Sequence, residues 1–256
     1  MLKMTYSTFA VSRFFMALCV FFCHVFESFN NLGFLFVGVF FFMSGYGMEI
    51  SGKRYSSLKR LVPYILYFVW FSLIYFFVFR VFIYPSSWFL VMYFMVMLIY
   101  RFISNIYGLL TAFCCLGCVL MFLDFNWVWV ASYGAFLFGV FFARNRERFT
   151  LNVVSYFVPG VLLVPWCPAA FWCLIPLFSY FVFTVSSLEI FKKIACLGDY
   201  TFYFYCSHCF CLGVFGATWT LGGSPAFVPV FSAFVLSCVV SVFLKDYLFN
   251  YPRIQQ

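Results

Sequence analysis

Apolar residues run along this chain in long stretches, and polar residues gather in short clusters between them. Ten stretches approach membrane-spanning length: 9–27, 32–50, 61–84, 88–103, 106–123, 127–143, 151–165, 169–187, 195–218 and 225–244. A hydrocarbon core about 30 Å thick takes about 20 helical residues to cross. The pattern therefore predicts an all-α polytopic transmembrane bundle of about ten spans. The fourth and seventh stretches are short for a full crossing, which fits tilted or partly re-entrant helices. Pro159, Gly160, Pro165, Pro168 and Pro176 disturb the seventh and eighth, since proline removes a helical donor. No internal repeat or linker divides the chain, so residues 1–256 read as a single membrane domain.

Charge fixes the expected orientation. With the N-terminus in the cytoplasm, the inner connections and termini hold every Lys and Arg except Arg13 and Arg80. The outer connections hold none. This is the positive-inside asymmetry, and it predicts an even number of spans with both termini cytoplasmic. Hydrophobic residues make up 66% of the chain and charged ones 9%, against about half and a quarter in soluble domains, so membrane lipid is the expected solvent. The net charge of +8 then reports topology, and no nucleic-acid partner is expected. Lys3 before an apolar run looks like a signal peptide, but no small-x-small cleavage site follows. The run reads as a retained helix.

Ionisable groups inside apolar stretches are costly and default to a functional reading. Arg13 and His24 lie eleven residues apart in the first stretch. At about 100° per residue they share a face, about 16 Å apart along the helix. Glu27 follows roughly one turn later. Arg13 can anchor an anion entering from the cytoplasm, with His24 as base or nucleophile deeper in. The plainer alternative has Arg13 snorkelling to the headgroups and His24 as an interhelical contact. In the ninth stretch Thr201, Tyr205 and His208 share a face, and His208, the other of two histidines, reaches a depth similar to that of His24. Cys206 and Cys209 make a C-x-x-C spacing beside His208 and Cys211. Buried cysteines also pack well between helices, so no metal is expected.

These segments together resemble the acyltransferase type 3 family of integral membrane O-acyltransferases. Arg13 and His24 match its Arg-x10-His pattern. Phe41-Phe42-x-Ser44-Gly45-Tyr46 resembles its Phe-Phe-x-x-Ser-Gly-Tyr motif, and Lys59-Arg60 with Pro63 its basic segment opening the third helix. Gly198-x-x-Thr201-x-x-x-Tyr205-x-x-His208 is similar to its late Gly-x-x-Ser-x-x-x-Tyr-x-x-His helix, with Thr in place of Ser. Trp88-Phe89-Leu90 resembles the end of a His-Leu-Trp-Phe-Leu segment, with Ser86-Ser87 replacing His-Leu.

The resemblance implies transfer of an acetyl group from cytoplasmic acetyl-CoA to a hydroxyl of a cell-envelope glycan or lipid-linked sugar, in a bacterial inner membrane. It implies donor binding by Arg13, Tyr46, Lys59 and Arg60, and acceptor contacts from Trp88, Thr201 and Tyr205. His24 is expected as general base, or as a transient acyl carrier. Glu27 is expected to orient it and His208 to assist. Two rival functions remain: a transporter or flippase for a lipid-linked sugar or small anion, and an inactive partner in polysaccharide assembly.

Overall fold

The computed structural model describes residues 5–27, 30–52, 58–81, 87–103, 105–122, 128–145, 149–163, 173–218 and 225–248. Among them the regular structure is entirely helical. The α-helices are α1 (Tyr6–Val25), α2 (Asn30–Ser51), α3 (Leu58–Phe79), α4 (Ser87–Phe102), α5 (Ile106–Phe122), α6 (Val128–Arg144), α7 (Leu151–Ser155), α8 (Ile175–Ser186), α9 (Glu189–Lys192), α10 (Thr201–Val214) and α11 (Phe227–Phe243). Three helical segments among the described residues are long and apolar enough to cross a membrane: Tyr6–Val25, Leu32–Ser51 and Phe227–Asp246. Helices α4, α5 and α6 have 16–17 residues, about 24–26 Å of rise.

The structure corrects several sequence-predicted boundaries, including a first stretch that ends at Val25 and a ninth whose α-helix covers only Thr201–Val214. Stretch 151–165 is no continuous helix: α7 stops after five residues and a 3-10 segment, Val158–Leu163, follows. Pro159 lacks the N–H that a continuing α-helix would need there. The third helix ends at Phe79, with Arg80 in the left-handed region at φ 59°. Arg80 thus lies past the helix and is exposed.

The tightest crossing joins α2 to α6. Ala135, Gly139 and Ala143 lie four residues apart on α6 and are buried, forming a strip of small residues that lets backbones touch. A Cβ on Gly139 would lie 2.1 Å from the Phe42 carbonyl oxygen and 2.8 Å from the Tyr46 nitrogen. Gly45 presses as closely on the Phe136 carbonyl. The helices run parallel, because further along both of them Arg144 Nε meets Glu49 Oε1 at 3.0 Å. The Tyr100 hydroxyl, near the end of α4, also donates to Glu49. Gly139→Val is expected to force α2 and α6 apart and cost about 1–3 kcal/mol or more. A lowered thermal midpoint in detergent would register it, and an unchanged midpoint would contradict the close crossing.

Polar contacts gather helix ends at one end of the bundle. The Tyr6 hydroxyl at the start of α1 donates to Asp199, just before α10. Lys245, past α11, lies 4.0 Å from Asp199 and 3.6 Å from the Tyr200 ring centroid. Phe9 of α1 packs on Tyr46 near the end of α2, ring centroids 5.7 Å apart. Ser12 meets Ser186, at the end of α8, at 2.9 Å. The starts of α1 and α10 thus share this end with the ends of α2, α4, α6, α8 and α11.

Candidate functional site

Helix α1 starts at Thr5, whose side chain caps the Thr8 N–H at 3.3 Å. Arg13, Ala17, Phe21 and His24 descend one face of it. That face meets α10, which is set in place by a close backbone contact. A Cβ on Gly198 would lie 2.3 Å from the Ala10 carbonyl oxygen, so only glycine lets the turn Ala195–Asp199 rest on α1. From that contact α10 runs in the same sense as α1. Phe21 packs on Phe204 at 5.8 Å and on His208 at 6.2 Å between ring centroids.

At the far end of this seam His24 and His208 meet, with ring centroids 5.2 Å apart at 46°. His208 is fully buried, whereas His24 is part-exposed. A ligand arriving from outside the bundle therefore meets His24 first. His208 Nδ1 lies 2.7 Å from the Tyr205 carbonyl oxygen and 3.3 Å from that of Phe204. Facing two acceptors, Nδ1 must carry the proton, so Nε2 presents its lone pair. Cys209 Sγ lies 3.3 Å from that Nε2 and is placed to donate its S–H. The ring is also held by Phe204, stacked at 6.0 Å, and by Tyr205 at 5.5 Å.

The other sequence-predicted residues distribute as follows. Tyr205 is buried against Phe89 and Phe40, at 4.7 and 5.9 Å between centroids. This brings the Trp88-Phe89 segment of α4 toward His208, with Trp88 itself on Phe34 of α2 at 6.2 Å. Thr201 is buried, and its hydroxyl has no hydrogen-bond partner among the described residues. Arg13 likewise has a buried Nε without such a partner, while its guanidinium bears on the Tyr6 hydroxyl. Tyr46 belongs to the Arg13 end, stacked on Phe42 and tilted against Phe9 and Phe149. Lys59 and Arg60 open α3, but their side chains lie outside the described residues, as does the basic stretch 53–57.

Glu27 differs from expectation. Helix α1 ends at Val25 and Phe26 is extended, at φ −113° and ψ 113°. The helical spacing that would set Glu27 behind His24 therefore does not apply, and its side chain is exposed. His208 stands beside the ring instead. Sequence reasoning also missed Phe21 and Phe204, which fill the seam between Arg13 and His24, and it took Cys209 for packing rather than for a neighbour of His208 Nε2. An apolar cleft of about 480 Å³ lined by Leu35, Leu151, Leu177, Phe178 and Phe181 lies elsewhere and holds none of these residues.

No family model, no curated protein and no solved structure matches the chain.

Proposed function

We propose that this chain is a membrane-embedded O-acyltransferase of the acyltransferase type 3 kind, transferring acetyl from cytoplasmic acetyl-CoA to a hydroxyl of an envelope glycan or lipid-linked sugar. On this reading it crosses a bacterial inner membrane about ten times, with both termini cytoplasmic. The observation that carries the proposal is the meeting of His24 and His208, 5.2 Å apart, on a seam whose other end holds Arg13. Gathering of the α1 and α10 starts with the ends of α2, α4, α6, α8 and α11 supports the alternation of spans.

His24 takes the proton of the acceptor hydroxyl as its oxygen attacks the thioester carbonyl. The tetrahedral intermediate collapses, the C–S bond breaks, and the imidazolium returns its proton to the departing CoA sulfur. His208, its Nδ1–H committed to backbone carbonyls and its Nε2 facing the Cys209 thiol, packs against the His24 ring and limits how that ring can turn. The Tyr205 hydroxyl is the available donor for the developing oxyanion. Arg13, with Lys59 and Arg60, meets the donor's phosphates. The pantetheine arm reaches His24 once the Phe21 and Phe204 rings turn aside.

The test is radiolabelled acetyl-CoA offered to membranes that contain the protein. Label is expected in glycan or lipid-linked sugar above protein-free membranes, and its absence would sink the proposal. Movement of unmodified substrate without acetyl-CoA would point to a transporter instead. Arg13→Ala is expected to raise KM for acetyl-CoA with kcat largely kept, so that excess donor restores labelling. A fall in kcat with unchanged KM would remove Arg13 from donor binding.

A further inference from the structure

We infer that His24, His208 and Cys209 form a binding site for a d10 metal ion, copper(I) or zinc(II). One ligand atom from each of the three lies within 4.8 Å of the others. Two side chains come from α10 and one from α1, so the cluster exists only where the helices meet. Bound zinc takes nitrogen at about 2.0–2.1 Å and thiolate at about 2.3 Å, which sets an N···S separation near about 3.5 Å in a tetrahedral site. His208 Nε2 and Cys209 Sγ already stand 3.3 Å apart.

The surroundings are also those of a ligand. Imidazoles that hold metals donate their other N–H to a carboxylate or backbone carbonyl, which fixes tautomer and orientation. His208 Nδ1 does this to Tyr205 at 2.7 Å. Cys209 packs in one cluster with Cys206 and with Phe71 and Tyr75 of α3, a wall that holds the sulfur beside the imidazole.

Binding releases one proton, from the Cys209 thiol, and involves no oxidation. Copper(I) with one thiolate and two neutral imidazoles makes a complex of zero net charge. Zinc(II) leaves one positive charge and an open fourth position. A buried, apolar setting disfavours net charge, and thiolate ligation suits soft ions. Both arguments favour copper(I).

The purified full chain in detergent, reduced and stripped by chelation, is offered zinc(II) or, anaerobically with ascorbate, copper(I). Bound metal is counted by elemental analysis after gel filtration. About one ion per chain is expected, held more tightly for copper(I). Cys209→Ser and His24→Ala are expected to weaken binding more than the about 10–100-fold typical of lost outer-shell partners, and Cys206→Ser is not. Cobalt(II) should give a thiolate charge-transfer band in the wild type that survives Cys206→Ser. Cys114, Cys115 and Cys118 are exposed, so their triple alanine variant runs alongside. No uptake by folded wild type, no thiolate band, or uptake that vanishes in the triple variant would each overturn the site.

Uptake stands independently of acyl transfer, but its consequence rests on that reading. An imidazole whose lone pair is given to a metal is no base, so labelled transfer should fall as the site fills and return on chelation. Transfer that persists in the filled protein would remove His24 as base and leave the metal site standing. Absence of uptake would remove the site and leave the base standing.

Discussion

His24→Ala is expected to slow acetyl transfer about 10²–10⁴-fold, the usual worth of a positioned general base. The loss should persist at saturating acetyl-CoA, which separates it from the donor-binding defect of Arg13→Ala. Alanine is the best helix former, and His24 occupies the last turn of α1, part-exposed. The variant should therefore stay folded, with a thermal midpoint close to that of the wild type. Labelling at the wild-type rate would remove the ring as general base.

Gly198→Ala should have the next largest effect, although the residue carries no side chain. The new Cβ would lie 2.3 Å from the Ala10 oxygen and 2.6 Å from its carbonyl carbon and Cα. All three are backbone atoms that cannot rotate away, so the start of α10 must lift off α1. A displacement of about 1 Å at reacting groups can cost about 10²-fold in rate, and the overpacking adds about 1–3 kcal/mol of instability. Both transfer rate and thermal midpoint should drop. Adding Ala10→Gly should not rescue either one, because it removes only a side chain that is not in the clash. Rescue would mean that the contact is between side chains and that the seam is looser than described.

Periodicity carried the main features of the site into view early. Eleven-residue spacing set Arg13 and His24 on one face, and helical spacing aligned Tyr205 with His208. Helix ends were less legible. The apolar stretch continues through Phe26 to the carboxylate of Glu27, past the point where α1 stops at Val25, and with that end went the placement of Glu27. The proline cluster after Phe157 did announce an interruption, and α7 gives way to a 3-10 segment there. Cys209 stood out in its C-x-x-C spacing, but its contact with the His208 ring did not. Adjacent helical residues point about 100° apart, which argues against pairing Cys209 with His208. Packing against α3 on one side and α1 on the other folds both side chains toward the same space. The third member, His24, is far away in sequence, and only the similar depth of the two histidines in their stretches pointed to the pairing.

That separation has a consequence during synthesis. Ribosomes add about 5–20 residues per second, so α1 leaves the ribosome roughly 10–40 s before α10 can reach it. Over that interval the nascent protein holds an arginine and an imidazole on a helix whose complementary surface has not yet been made. Such a stripe is poorly tolerated against acyl chains. On the proposed membrane topology, the newborn first helix must therefore wait at the translocon, beside a temporary companion, or tilted toward the headgroups until its late partner arrives.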